Sequence, residues 1–532
     1  MSSPPEIEAF FSHLEERVAP AERSYKEAWW RLATTGSAEA RDDLVRAGIA
    51  FNRLFADRAE HEKVRGWHEK RDLMGSSLLR RQVEVVYRLF AAHAGDEATV
   101  QRIEELEAEA NAIYGNHRGS VAGREVGENE VREILRTSED EALRREAWEA
   151  SKTVGRKVEG IVRELARLRN RLAREGGYPD HYRRSLDLQD IEADELDGIM
   201  SHLETATDAP FASFKRDLDA RLRSRFDIET LMPWHLSDPF FQEPPEDLSL
   251  DVDRFFREED LEALTRRTYD NMGLEVRDVL ARSDLYEREG KSQHAFCLPV
   301  GREYPYDVRV LANVRPDAYW MDTMLHEFGH AVYDKHVNPG LPYFLRSCAH
   351  TSTTEAIALM MGSLAGDPTW LSAVAGVPED TLREDRQRLL RIARADRLVF
   401  VRWALVMFHF ERALYEDPDR EDLNSLWWDL VERLQLVKRP PGRDEPDWAA
   451  KIHIAVAPVY YHNYVLGHLI AAQLRRHLEE RVTGGPFFVS EVAGRYLQEA
   501  VFGPGARNGW RDTILGATGE KLNPDHFVST LR

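Results

Sequence analysis

The chain has 532 residues, 42% hydrophobic and 31% charged, with a net charge of −21 and two cysteines. So few cysteines exclude a disulfide-built fold, and the acidic balance argues against a nucleic-acid or anionic-lipid partner. No apolar run approaches the ~18 residues that read as a membrane span, and the length exceeds what one core usually supports, so two lobes are expected.

The N-terminal stretch Met1-Ser-Ser-Pro-Pro-Glu-Ile-Glu lacks the basic and apolar regions of a secretory signal. Cys297 and Cys348 read as free thiols, and the location expected is cytoplasmic. Apolar residues then recur at helical spacing over 5–34, 38–60, 78–94, 97–115, 139–175, 192–225 and 257–273. Breaks such as Gly176-Gly177-Tyr178-Pro179 separate them. The pattern changes over 293–315, where Val308 and Val310 alternate with charged residues beyond Pro299 and Gly301, as in a hairpin. A strand edge of this kind is a docking rail for an extended peptide.

Helical spacing resumes over 318–335, and inside it stands His326-Glu327-Phe328-Gly329-His330. Met321, Met324/Leu325, Phe328 and Val332 form the apolar stripe of a half-buried helix. His326 and His330 then share a face one turn apart, where two imidazoles can hold one metal ion. Glu327 is placed to take a proton from a water at that metal.

A catalytic zinc site needs a third protein ligand and an open fourth position. Two residues compete. His336 completes a spacing like that of the metzincin peptidases, but Tyr333 replaces the glycine that would turn the chain back, and a continuing helix points His336 about 240° away from His330. Glu355 opens the next helical run, 353–366, as the third ligand does in the gluzincin peptidases. Against it, Ser352-x-x-Glu355 is also a capping-box pattern. Glu355 is the favoured ligand and His336 the alternative.

Helices are expected again over 378–416, 421–436 and 458–480. The last begins in the segment from Lys451 to His468, which carries His453, Tyr460, Tyr461 and Tyr464. Pro458 suits a first helical turn, which puts His453 on the approach loop and Tyr460 and Tyr464 on one face. Peptide hydrolysis passes through an oxyanion, and His and Tyr donors aimed at it are what such a site requires.

The ordered set Glu8-Ala-Phe-Phe, Tyr25-Lys-Glu-Ala-Trp-Trp30, Ala147-Trp-Glu149, His294-Ala295, the His326–His330 pentapeptide, Thr354-Glu355-Ala-Ile357, Trp427-Trp428 and Lys451-x-His453 resembles the angiotensin-converting-enzyme family of peptidyl dipeptidases. The thimet oligopeptidase and oligoendopeptidase F group is its kin. The resemblance runs nearly end to end. It implies a mainly helical, all-α fold of two lobes flanking a deep central channel, one catalytic domain over 1–532, with a small β-hairpin beside the zinc helix. It also implies one Zn²⁺ per chain, short unfolded peptides as substrates, and neither nucleic acid nor membrane as partner.

By the same resemblance His294 and Ala295 line the rail for substrate backbone, and His453 supports the scissile region. Lys451 and Tyr460 reach a C-terminal carboxylate, and a downstream tyrosine stabilises the oxyanion. The sequence departs from the family at three places. Asn463 occupies the dipeptidase oxyanion position, which favours Tyr464 with Tyr461 in reserve. Trp234-His235-Leu236 lacks the expected glutamine, and Leu359 replaces an aspartate that orients a zinc ligand. A silent peptide-binding relative would be signalled by loss of Glu327, which is present.

Overall fold

The computed structural model describes residues 4–245 and 250–531. Its contacts divide the chain into two compact units, one of residues 1–94, 250–390 and 466–526, the other of residues 95–249, 391–465 and 527–532. Both are built mainly of helices, and each is described by itself.

In the first unit the ligand-bearing helix Ala318–Lys335 runs through the core. Asp317 caps it by accepting the Trp320 N–H, which satisfies one of the free donors of the first turn. Met321, Met324, Leu325, Phe328 and Val332 are fully buried, as the apolar stripe predicts. The helix Thr351–Gly362 packs antiparallel to it at close range. Gly329 permits that approach, because a Cβ there would lie 2.8 Å from the Cα of Ala358. The cap of the second helix is His350, whose Nδ1 accepts the Ser352 N–H, while Thr353 Oγ1 accepts the His350 N–H. Glu355 therefore takes no part in capping, and the capping-box reading of Ser352 and Glu355 is replaced.

The hairpin expected over 293–315 is formed by Phe296–Pro299 and Val308–Leu311, with Cys297 opposite Val310 and Leu298 opposite Arg309. Beyond the second strand, the Asp284 N–H donates to the Val310 carbonyl and the Ala312 N–H to that of Asp284. Val310 thus faces away from the first strand. By alternation so does Cys297, on the opposite, free edge.

The second unit is organised on the long helices Glu141–Glu175 and Ala193–Phe226, with Trp148 and Phe211 among its buried residues. A second hairpin, Gly119–Val121 with Arg124–Val126, turns through Ala122 and Gly123 at positive φ, as a two-residue loop requires. The helix expected from Pro458 starts later, at Tyr461, and runs to His477. His453 lies in a separate short helix, Ile452–Val456, rather than on a loop. Val459 adopts a left-handed φ of 55° between them. Its N–H donates to Glu411 and its carbonyl accepts from Gln189, so two side chains hold a conformation that a β-branched residue rarely takes. Among the described residues no helix is long and apolar enough to cross a membrane.

Candidate active site

Two antiparallel helices bring His326, His330 and Glu355 together, with donor atoms all within 4.8 Å of one another. Glu355 Oε2 stands 3.8 Å from His326 Nε2 and 4.0 Å from His330 Nε2. The imidazole planes cross at 79° with centroids 5.0 Å apart, so the two nitrogens converge without stacking. The other nitrogen of His330, Nδ1, lies 2.7 Å from Thr354 Oγ1. That bond directs Nε2 toward the cluster, the arrangement usual for a metal-ligating histidine. Thr354 thus takes up an orienting role for which Leu359 has no polar atom. Gly467 closes the cluster from behind, since a Cβ there would sit 3.1 Å from that of Glu355.

The electrostatics fit a divalent cation. Burial lowers His326 to about 4 and holds His330 well below its ordinary range, so both imidazoles are neutral. Burial also raises the Glu355 carboxyl to about 7. Glu327 is pushed up to about 8 by burial and then by the neighbouring Glu355. Two neutral nitrogens beside two desolvated carboxyls form a donor set short of positive charge, which a metal ion supplies. Glu327 is not one of the three converging donors; its carboxylate accepts the backbone N–H of Cys297 from the free edge of the hairpin. His336 is excluded from the cluster. The helix reaches Lys335, and His336 Nδ1 turns back to the Val332 carbonyl at 2.8 Å.

Of the predicted rail, His294 is exposed and Ala295 half-buried, both just before the hairpin strand that begins at Phe296. The remaining predicted residues gather in the second unit. Lys451 is buried and donates to the side-chain oxygen of Gln242 at 2.8 Å. Burial lowers its ammonium to about 8, against the attraction of Asp238. Its Nζ also lies 5.7 Å from the ring centre of Tyr461. His453, lowered to about 4 by burial and by Lys451, packs 5.1 Å from Tyr461, and its buried Nδ1 has no hydrogen-bond partner among the described residues. Tyr464 contacts both Tyr460 and Tyr461, at 5.2 and 5.6 Å between centroids.

Sequence reasoning missed Gln242. Gln242 lies later in the same loop as Trp234-His235-Leu236 and brings an amide to Lys451, where no spacing rule would have sought it. Thr354 was legible only as the residue preceding the ligand.

Two converging histidines, a glutamate from the adjacent helix and a second glutamate beside the first histidine define the class of a gluzincin-type metallopeptidase. The chain belongs to peptidase family M3, whose model matches residues 134–527. Residues 2–237 also match the model described as angiotensin-converting enzyme, so both resemblances read from the sequence are present. No match is found among curated proteins.

Proposed function

We propose that the protein is a zinc-dependent oligopeptidase that hydrolyses short unfolded peptides with Glu327 as general base. The observation that carries this reading is the convergence of His326, His330 and Glu355 with Glu327 beside them. His326, His330 and Glu355 would hold one zinc ion, which when bound would supply Lewis-acid polarisation of the water and the scissile carbonyl. Glu327, held by the Cys297 N–H, accepts the water proton and returns it to the leaving amine. The hairpin edge at Ala295, beside His294, binds substrate backbone as an added strand.

The second unit carries the remaining candidate residues. Tyr464 is assigned as donor to the oxyanion, the role a tyrosine hydroxyl can fill in peptide hydrolysis. His453, with one ring nitrogen unengaged, assists at the scissile region. Lys451 and Gln242 receive a substrate C-terminal carboxylate, and the position of Tyr461 beside Lys451 favours Tyr461 over Tyr460 as their companion. A buried ammonium whose hydrogen bond goes to a neutral amide suits an incoming carboxylate, which supports cleavage near free C-termini.

A mixed library of peptides of about ten residues, digested by the zinc-loaded protein and read by mass spectrometry, tests the reading. The expected result is cleavage clustered near free C-termini, absent with Glu327→Gln. Intact peptides after treatment with the zinc-loaded protein would overturn it.

A further inference from the structure

Asp322 stands one helical turn before His326, four residues back, on the stripe that carries His326 and His330. The rise of the helix places it about 6 Å along the axis from His326. It is exposed, and no hydrogen bond or ion pair reaches it from any described residue. Nearby, Asp317 caps the first turn of the helix, and Lys335 at its end pairs with Asp278. Asp322 is also outside the three-donor cluster, so the metal does not neutralise it directly.

The residue across from it, on the antiparallel ligand helix, is Gly362. A Cβ at that position would lie 3.2 Å from each carboxylate oxygen of Asp322. The glycine therefore leaves uncovered a carboxylate that any side chain there would crowd. Although the residue is exposed, surrounding protein desolvates its carboxyl and raises it to about 6. An ionised, uncapped and partly desolvated carboxylate gains most from a cation brought by the ligand.

We propose that Asp322 is a specificity-determining residue that selects peptides with a lysine or arginine side chain within two residues of the scissile bond. The limit of two follows from the ~3.3 Å rise of an extended chain against the ~6 Å offset from His326. This inference rests on the peptidase reading above. The net charge of −21 attracts any cationic peptide, but that attraction is screened by salt and does not single out one position.

The test uses peptide pairs differing by lysine against glutamine at each of the two residues on either side of the cut. For the zinc-loaded protein, kcat/KM should favour lysine about tenfold at one position. The ratio should fall to about one in Asp322→Asn and return in Asp322→Glu. It should persist in Glu384→Gln, which removes an exposed charge elsewhere on the same unit. The same pairs are titrated calorimetrically into the Glu327→Gln protein, with and without Asp322→Asn. If no peptide is cut, the peptidase reading fails, and the binding arm still decides whether Asp322 selects a cation. A lysine-to-glutamine ratio unchanged by Asp322→Asn, or lost equally in Glu384→Gln, overturns the proposal.

Discussion

His330 Nδ1 lies 2.7 Å from the hydroxyl of Thr354, the residue immediately before Glu355. One residue at the start of the second ligand helix thus orients a ligand on the first, while its neighbour supplies the third donor. Thr354→Val keeps the shape and removes the acceptor. Zinc affinity, measured by competition with a chromogenic chelator, should fall about 10–100-fold. An unchanged affinity would show that packing alone sets the ring.

Base and ligand separate by their effect on metal content. Glu327→Gln should retain one zinc per chain while kcat drops at least ~10²-fold. Glu355→Ala should lose the metal itself, read by elemental analysis. Chelation should abolish hydrolysis with little change in melting temperature, because the stripe Met321, Met324, Leu325, Phe328 and Val332 is buried without the ion's help.

The three tyrosines are distinguished by a free-acid peptide and its C-terminal amide. Tyr464→Phe should reduce kcat by about 10²–10³ on both with KM nearly unchanged, as for a transition-state donor. Lys451→Met and Tyr461→Phe should raise KM for the free acid and leave the amide alone. Tyr460→Phe should do neither. Loss of kcat in Tyr461→Phe, with Tyr464→Phe active, would move the oxyanion role by one turn.

Glu411 gives a pH signature independent of the metal. Burial pushes its carboxyl from 4.5 up to about 8, with only Arg169 and the Val459 N–H opposing. Because the folded value is the higher one, its stabilisation is complete below the unfolded value and is lost as pH rises toward 8. Glu411→Gln keeps an acceptor for Val459 and cannot ionise. Between pH 5 and 8 the wild-type melting temperature should decline relative to that of Glu411→Gln; parallel curves would disprove the shift.

The ligand helix was legible to the residue, 318–335, because a strong apolar stripe and an Asp317 cap act locally. The segment 38–60 was not: Asp57 starts a new helix by capping Glu60, which breaks the expected one after Arg53. Periodicity carries through such a break because both pieces face the same core. Pro458 misled for a different reason. Its fit to a first helical turn is a local preference, overridden by Glu411 and Gln189, which come from distant segments to hold Val459. Gln242 was invisible on the same grounds, since only the tertiary path of its loop brings the amide to Lys451. His326, His330 and Glu355 needed no such path beyond two helices and the turn between them.

The free edge of the hairpin has a sequence-encoded shortage of donors. Ala295, Cys297 and Pro299 face outward along it; the Cys297 N–H is already engaged by Glu327, and Pro299 has none. Ala295 keeps the one available N–H on an edge otherwise rich in carbonyls. A peptide laid there can match its own groups to that single donor in one register, and sliding by two residues forfeits the bond. The substrate position whose N–H meets the Cys297 carbonyl should then reject proline, so the edge measures where the chain is cut as well as holding it.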